Sequence, residues 1–299
     1  MKVWLNGKII GIEEASISPL AHSVQYGSGV FEGIRSYETQ NGTAIFRLME
    51  HVGRLLKSAK TCYINLGYKE AEIREAIIKT VKANGLGACY IRPFAYVSEE
   101  GIGLSSYRKG TSMLIMALPF GSYFGAGKDK GIRCAVTSIN RINSSVLPVQ
   151  AKVSGNYVNS ALANAEARIA GADEAILLSS SGHVSEGPGE NIFLVEGNKL
   201  VTPGEDSDVL LGITRDSIIK IAEASGIEVE ERSVHKEELY TCSELFFTGT
   251  AAEITPIVEV DGIKVGNGKP GPITKMLSGK YSGVVTGKDT MFEGWLTYL

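Results

Sequence analysis

The chain has 299 residues, of which 43% are hydrophobic and 21% charged, enough apolar material for one large domain or two ordinary ones with real cores. The 30 Lys and Arg against 33 Asp and Glu leave a net charge of -3, and no basic run is interleaved with aromatics, so a nucleic-acid partner is not expected. Apolar runs such as MLIMALPF fall far short of a membrane span, and MKVWLNGKII is too short in apolar content for a signal peptide, which together predict a cytoplasmic location away from membranes.

In chain order, VWL and KII flank Asn6-Gly7, a pair suited to a two-residue hairpin turn. From Glu50 to Tyr63, Val52, Leu55, Leu56, Ala59 and Cys62 recur at three and four, which predicts one helix face, with Arg54 beside the stripe. YKEAEIREAIIKTVKANGLG repeats the spacing at Ile73, Ile77 and Val81 and stops at Asn84-Gly85. CYIRPFAYVS and TSMLIMALPF read as strands around a Gly/Ser loop. GSYFGAGKDKG, residues 121–131, is rich in glycine and charge and reads as a linker between a domain over 1–120 and another over 132–299. Beyond it, IRCAVTSI reads as a strand and NYVNSALANAEARIA as a helix with Val158, Leu162, Ala165 and Ile169 on one side. EAILLSS reads as another strand, followed by a hairpin about Glu196 to Lys199, the helix TRDSIIKIAEASG, the strand SELFFTG, a hairpin at Asp261-Gly262 and a short terminal helix. A mixed α/β protein follows, and the lack of a regular βαβ rhythm argues against a doubly wound sheet.

Cys62, Cys89, Cys134 and Cys242 form no CxxC pair and read as buried thiols. His22, His51, His183 and His235 are equally dispersed, so spacing gives no metal cluster, and no metal is expected. LLGITRDSIIK places Gly212, Ile213 and Thr214 at a helix mouth whose first N-H groups could hold an anion, or Thr214 could simply cap the helix with Asp216 in its first turn. FFTGTAAEITP runs a strand into Gly249, Thr250, Ala251 and Ala252, residues small enough for close approach of a ligand, or for an ordinary turn. Glu186 and Glu190 of SEGPGEN could be paired catalytic carboxylates or a solvated turn. GxxxxGK[ST] and a strand-borne GxGxxG are both missing, which removes the best support for nucleotide binding. Lys152 lies in AKVSGNYVNS, among small residues, amides and a tyrosine with no carboxylate nearby in sequence.

YGSGVFEGIRSY, EHVGRLLKSAK, YIRP, AKVSGNY, SEGPGENIF, LLGITRD and TGTAAEITP resemble, in order and spacing, the branched-chain amino acid aminotransferases, which are fold type IV enzymes using pyridoxal 5'-phosphate. The similarity extends over nearly the whole chain. It implies a mixed α+β fold of two domains, a small N-terminal α/β domain and a larger C-terminal cofactor-binding domain with a barrel-like β core. It also implies reversible, ping-pong amino transfer between L-leucine, L-isoleucine or L-valine and 2-oxoglutarate. Lys152 is then expected to bind the cofactor aldehyde covalently and afterwards to act as the base at the substrate Cα. A lysine amine with its usual pKa of about 10.4 needs surroundings that ease loss of its proton, which fits the missing local carboxylate.

By the same resemblance, Glu186 faces the pyridine nitrogen and Tyr157 the ring oxygen, while Leu210 packs on the ring. Arg54, with Ile213, Thr214 and Thr250 and the adjoining Gly212 and Gly249, holds the phosphate. Tyr26, Phe31, Gly33 and Tyr123 form the side-chain pocket, Arg92 takes the distal carboxylate of glutamate, and Arg35 supports the pocket. Tyr90 and the N-H groups of Thr250, Ala251 and Ala252 are expected at the α-carboxylate. Relatives form dimers or hexamers, and EEGIGLSSYRKG matches a loop that reaches the neighbouring pocket, with Leu104 as its contact. That loop is differently composed here, and Phe120 stands where many bacterial members carry tryptophan, a departure that bears on pocket width. Two rivals use parts of the same set: another fold type IV enzyme acting on D-amino acids, (R)-amines or aminodeoxychorismate, and a non-catalytic module binding a phosphorylated metabolite.

Overall fold

The computed structural model describes residues 1–107, 109–125 and 127–299, so Arg108 of the loop EEGIGLSSYRKG and Ala126 of the expected linker lie outside the described residues. The chain divides into two compact units. Met1–Phe120, Ala151–Asn156 and Val284–Leu299 form the first, and Gly121–Gln150 with Tyr157–Gly283 the second. This corrects the expectation of a domain running unbroken over 132–299 after a separate linker. The segment carrying Lys152 belongs to the first unit because its backbone is tied there: Phe31 N-H donates to the Lys152 carbonyl at 3.0 Å, Lys152 N-H donates to Ser58 Oγ at 3.0 Å, and Val153 bridges Val30.

The first unit is built on an antiparallel sheet. Its strands are β1 (Lys2–Leu5), β2 (Lys8–Gly11), β3 (Gly29–Phe31), β4 (Ile34–Thr39), β5 (Gly42–Phe46), β6 (Cys89–Val97) and β7 (Thr111–Pro119), and β3 pairs with β6. The β1-β2 turn forms as expected, with Asn6 at φ 46° and Gly7 at φ 96°, the left-handed pair that a tight hairpin needs. The C-terminal LTYL carries no strand signal of its own, yet Leu296–Tyr298 pairs antiparallel with β5 and extends the sheet beyond it. After the short helix α1 (His22–Tyr26) come α2 (Leu48–Thr61) and α3 (Glu70–Ala83). They bury Val52, Leu55 and Ala59, and Ile73, Ile77 and Val81, from the stripes the spacing predicts, together with Leu48 at the start of α2. Those residues join Ile34, Ile45, Ile91, Met113 and Ile115 from the sheet in one core.

In the second unit the strands β8 (Ile132–Val136), β9 (Glu174–Ile176), β10 (Asn191–Glu196), β11 (Lys199–Thr202), β12 (Glu228–Glu231), β13 (Glu244–Gly249), β14 (Glu253–Val260) and β15 (Ile263–Lys264) form a mixed sheet in the order β12-β11-β10-β13-β14-β8-β9, with β15 on β14. The ends of that path are joined. Ser185 N-H donates to Leu177 O and Leu177 N-H to Glu186 O just past β9, while Val184 N-H donates to Val234 O just past β12. The sheet therefore curls into the barrel-like form expected, and Glu186 lies on the segment that links its two ends.

Helices α4 (Gly127–Lys130), α5 (Tyr157–Ile169) and α6 (Ile213–Ala224) belong to this unit. Three expectations are corrected here. On α5 the predicted stripe faces outward, with Val158, Leu162 and Ile169 exposed to 62%, 55% and 89%. The buried side is Ser160, Ala163 and Ala167, because only small residues allow the helix to settle closely on Ala175 and Leu177. On α6 the N-cap is Gly212, which has no side chain to cap with, and Thr214 lies inside the first turn. The expected short terminal helix is a 14-residue one, Pro272–Val285. Among the described residues no helix is long and apolar enough to cross a membrane.

Candidate active site

In the first unit, strand alternation sends neighbours to opposite faces, and β3 uses this to serve two purposes. Phe31 turns its ring to Lys152 Nζ, 5.0 Å from the ring centroid, and to the Arg92 guanidinium at 4.5 Å. Arg92 and Tyr90, two residues apart on β6, share a face, and Arg92 Nη2 donates to Tyr90 Oη at 2.8 Å. Arg35 lies directly opposite Tyr90 in the β4-β6 register and stacks over Tyr37 and Phe120, at 4.9 and 5.4 Å, while Tyr90 packs on Phe120 at 5.1 Å. Gly33 completes this wall by its lack of a side chain: a Cβ there would overlap Tyr90 Oη and come within 3.0 Å of Cζ. Lys152, Phe31, Gly33, Arg35, Tyr90, Arg92 and Phe120 thus form one aromatic and cationic surface. Arg92 Nε is buried within it and has no hydrogen-bond partner among the described residues.

Glu32, the next residue, points the other way and is fully buried. It accepts from His51 Nδ1 at 2.7 Å and from Arg54 Nε and Nη2 at 2.6 and 2.9 Å. Burial alone would raise the Glu32 pKa, but the Arg54 guanidinium and the His51 N-H hold it well below the usual carboxylate range. Burial lowers the His51 pKa against the opposing pull of Glu32, so the imidazole is neutral near pH 7.

The second unit gathers the other expected residues. Glu186, buried on the barrel-closing segment, receives Arg141 Nε at 2.7 Å on one carboxylate oxygen, and Asn191 Nδ2 at 3.1 Å and the Leu210 N-H at 3.0 Å on the other. Asn191 Nδ2 also donates to the Leu210 carbonyl at 2.9 Å, which fixes the approach to α6. A Cβ at Gly212 would collide with Asn191 Oδ1, so the α6 mouth can stand this close only because residue 212 is glycine. The first N-H groups of α6 have no partner within the helix, and with no capping side chain at Gly212 they are disposed to hold an anion. At the β13-β14 turn, Gly249 pairs with Glu253 and leaves Thr250, Ala251 and Ala252 as the loop. Tyr157 is half-buried at the start of α5.

Three expected residues stand apart from these clusters. Leu104 is 71% exposed, Tyr26 is exposed with its hydroxyl accepting from Gly103 N-H at 2.9 Å, and Tyr123 packs on Phe124 in the second unit. The reading of Glu186 and Glu190 as a solvated turn is corrected: both are buried, at 6% and 5%, and the Glu190 side chain accepts from the Gly189 N-H at 3.0 Å. Sequence reasoning missed Glu32, His51, Arg141 and Asn191. Glu32 lay inside a quoted motif, where a carboxylate between Phe31 and Gly33 in an apolar strand is itself a sign of a buried cation partner, whereas nothing local distinguishes Arg141.

An amine and a cation on one aromatic wall in the first unit, and a clamped carboxylate with an uncapped helix mouth in the second, are the equipment of a transferase that handles small anionic ligands. The profile of the family described as amino-transferase class IV matches residues 29–260, and the chain belongs to that family. The branched-chain-amino-acid aminotransferase of Salmonella typhimurium is 42% identical over 298 residues, covering 98% of this chain and 96% of the relative. Two solved structures are similar over 99% of this chain and 98% of theirs. The branched-chain aminotransferase of the archaeon Thermoproteus uzoniensis with norvaline superposes with a TM-score of 0.94 at 46% identity. The T.th. branched-chain amino acid aminotransferase complexed with N-(5'-phosphopyridoxyl)-L-glutamate gives 0.95 at 43%.

Proposed function

We propose that the protein is a branched-chain amino acid aminotransferase that uses pyridoxal 5'-phosphate and moves the amino group reversibly between L-leucine, L-isoleucine or L-valine and 2-oxoglutarate. The observation that carries this reading is the single aromatic wall on which Lys152 Nζ and the Arg92 guanidinium both rest, 5.0 and 4.5 Å from the Phe31 ring. It gives an apolar side chain a dry surface and a distal carboxylate a cation at the edge of that surface, which a pocket for both leucine and glutamate requires.

The residues present fit the cofactor. Its phosphate suits the uncapped α6 mouth at Gly212, Ile213 and Thr214, with Gly249, Thr250 and Arg54, and its pyridine nitrogen suits the clamped Glu186 carboxylate, with Tyr157 at the ring oxygen and Leu210 on the ring face. When bound, pyridoxal 5'-phosphate supplies an electrophilic aldehyde and a ring that withdraws charge from the substrate Cα. Lys152 Nζ would hold the cofactor at its aldehyde carbon and, as a free amine, would carry the proton away from the substrate Cα. Arg141 and Asn191 keep Glu186 oriented as an acceptor, so that it can hold the ring nitrogen's proton. Tyr90 and the Thr250, Ala251 and Ala252 N-H groups receive the α-carboxylate, and Arg92, with its buried unpartnered Nε, receives the distal carboxylate of glutamate. Tyr26 and Tyr123 border the side-chain pocket, and Arg35 braces Tyr90 from β4. The two half-reactions share one site, so kinetics are ping-pong.

We also propose that the working form is a homo-oligomer with the dimer as its minimal unit. The outward row of Val158, Leu162 and Ile169 on α5 supports this, since so large an apolar surface is costly to leave in water, and exposed Leu104 is offered to the second copy. The test of the activity is twofold. Borohydride treatment of the cofactor-loaded protein followed by peptide mapping should find the cofactor fixed to Lys152. Initial rates should show amino transfer from L-leucine to 2-oxoglutarate with none from D-alanine, and activity with only the D-isomer would overturn the assignment.

A further inference from the structure

We propose that Glu32 is a positioning residue for the cofactor phosphate, acting through its two-point grip on Arg54 and held in turn by His51. The inference rests on the assignment of Arg54 to the phosphate. Arg54 and His51 stand three residues apart on α2 and so share a face, and Glu32 reaches that face from the end of β3. The Glu32 side chain is 0% exposed and that of His51 2%, while the Arg54 side chain retains 14%. Two of the five guanidinium N-H donors are committed to Glu32, at 2.6 and 2.9 Å, and because the group is planar that grip sets where its other donors point.

The charges make the role testable by sign. Glu32 is ionised, Arg54 is cationic and His51 is neutral, so the three together carry no net charge. If attraction for a phosphate dianion were what mattered, a carboxylate against Arg54 would be a liability, and Glu32→Gln should tighten cofactor binding. If orientation matters, the same change should weaken binding, because either orientation of the amide sets its NH2 against an Arg54 N-H, Nε at one oxygen position and Nη2 at the other, donor against donor.

The experiment titrates the apoprotein with pyridoxal 5'-phosphate and, separately, with pyridoxal, which has no phosphate, following absorbance. Glu32→Gln should raise the dissociation constant for pyridoxal 5'-phosphate about 10–100-fold, the range lost when a residue orienting a ligand group is removed, and leave that for pyridoxal unchanged. Equal or tighter binding of pyridoxal 5'-phosphate would overturn the proposal, as would an equal loss for both ligands, which would mark a merely structural role. Circular dichroism verifies the fold of the variant. Should it not fold, Arg54→Lys decides: it keeps the charge and loses the fork, so binding at least about 10-fold weaker supports the proposal and unchanged binding refutes it. A wild-type protein that failed to bind pyridoxal 5'-phosphate would strike the parent assignment, an outcome distinct from any of these.

Discussion

Replacing Gly33 by alanine tests the geometry of the substrate wall. The added Cβ would overlap Tyr90 Oη and stand 3.0 Å from Cζ and 3.4 Å from Cε2, inside or at the limit of ordinary van der Waals contact. Tyr90 must swing away, and in doing so it gives up the 2.8 Å bond from Arg92 and its packing on Phe120. Overpacking of this kind costs about 1–3 kcal/mol, which at about 1.4 kcal/mol per decade is a loss of roughly 5- to 150-fold if it falls on the transition state. We expect kcat/KM to fall by that factor, and more steeply with glutamate than with leucine if Arg92 receives the distal carboxylate as proposed. The assay is single-turnover spectroscopy of each half-reaction. The background variant Tyr90→Phe removes the overlapping oxygen and leaves 3.0 Å as the closest approach, so Gly33→Ala should cost at most half as much there. The same cost in both backgrounds would refute the reasoning.

Arg141→Met removes the 2.7 Å ion pair from the buried Glu186 carboxylate, 8% exposed in its side chain as is Arg141, and should destabilise the protein by about 3–5 kcal/mol in urea unfolding. Leu162→Glu places a charge in the middle of the outward α5 row and should convert the proposed oligomer to a monomer in sedimentation, and an unchanged mass would remove α5 from the proposed interface. Acid should destabilise the first unit in two steps. His51 and Glu32 both have folded pKa values below their ordinary 6.5 and 4.5, so the unfolded chain binds more protons and stability falls as pH drops below about 6.5 and again below about 4.5. His51→Gln should flatten the first step in urea midpoints measured at pH 7, 5.5 and 4.

Local chemistry made much of this legible. Asn6-Gly7 and Asp261-Gly262 have the left-handed backbone that tight hairpins demand, and the Val52 and Ile73 stripes found the core, because each is decided within a few residues. The α5 row misled for a physical reason: periodicity marks an apolar face without saying which way it turns, and the true inner side, Ser160, Ala163 and Ala167, is too small to register as apolar. The Leu296–Tyr298 strand was hidden because only its pairing with β5 makes it one. Among the proposed site residues, Lys152, Arg54 and Glu186 were singled out through matching motifs. Arg141 reaches Glu186 from 45 positions before it, and His51 reaches Glu32 from 19 positions after it, where no spacing rule applies.

The first unit takes its pieces from three separate stretches, the last being Val284–Leu299, and that has a consequence for synthesis. On the ribosome, β5 must wait without its outer neighbour until residues 296–298 have been made, and Arg47 without the Trp295 indole it stacks on at 4.7 Å. The intervening 157–283 stretch emerges whole before then, so it can complete its barrel first while the N-terminal sheet remains a half-built edge. Nascent chains stalled short of residue 296 should therefore engage chaperones through the β5 edge.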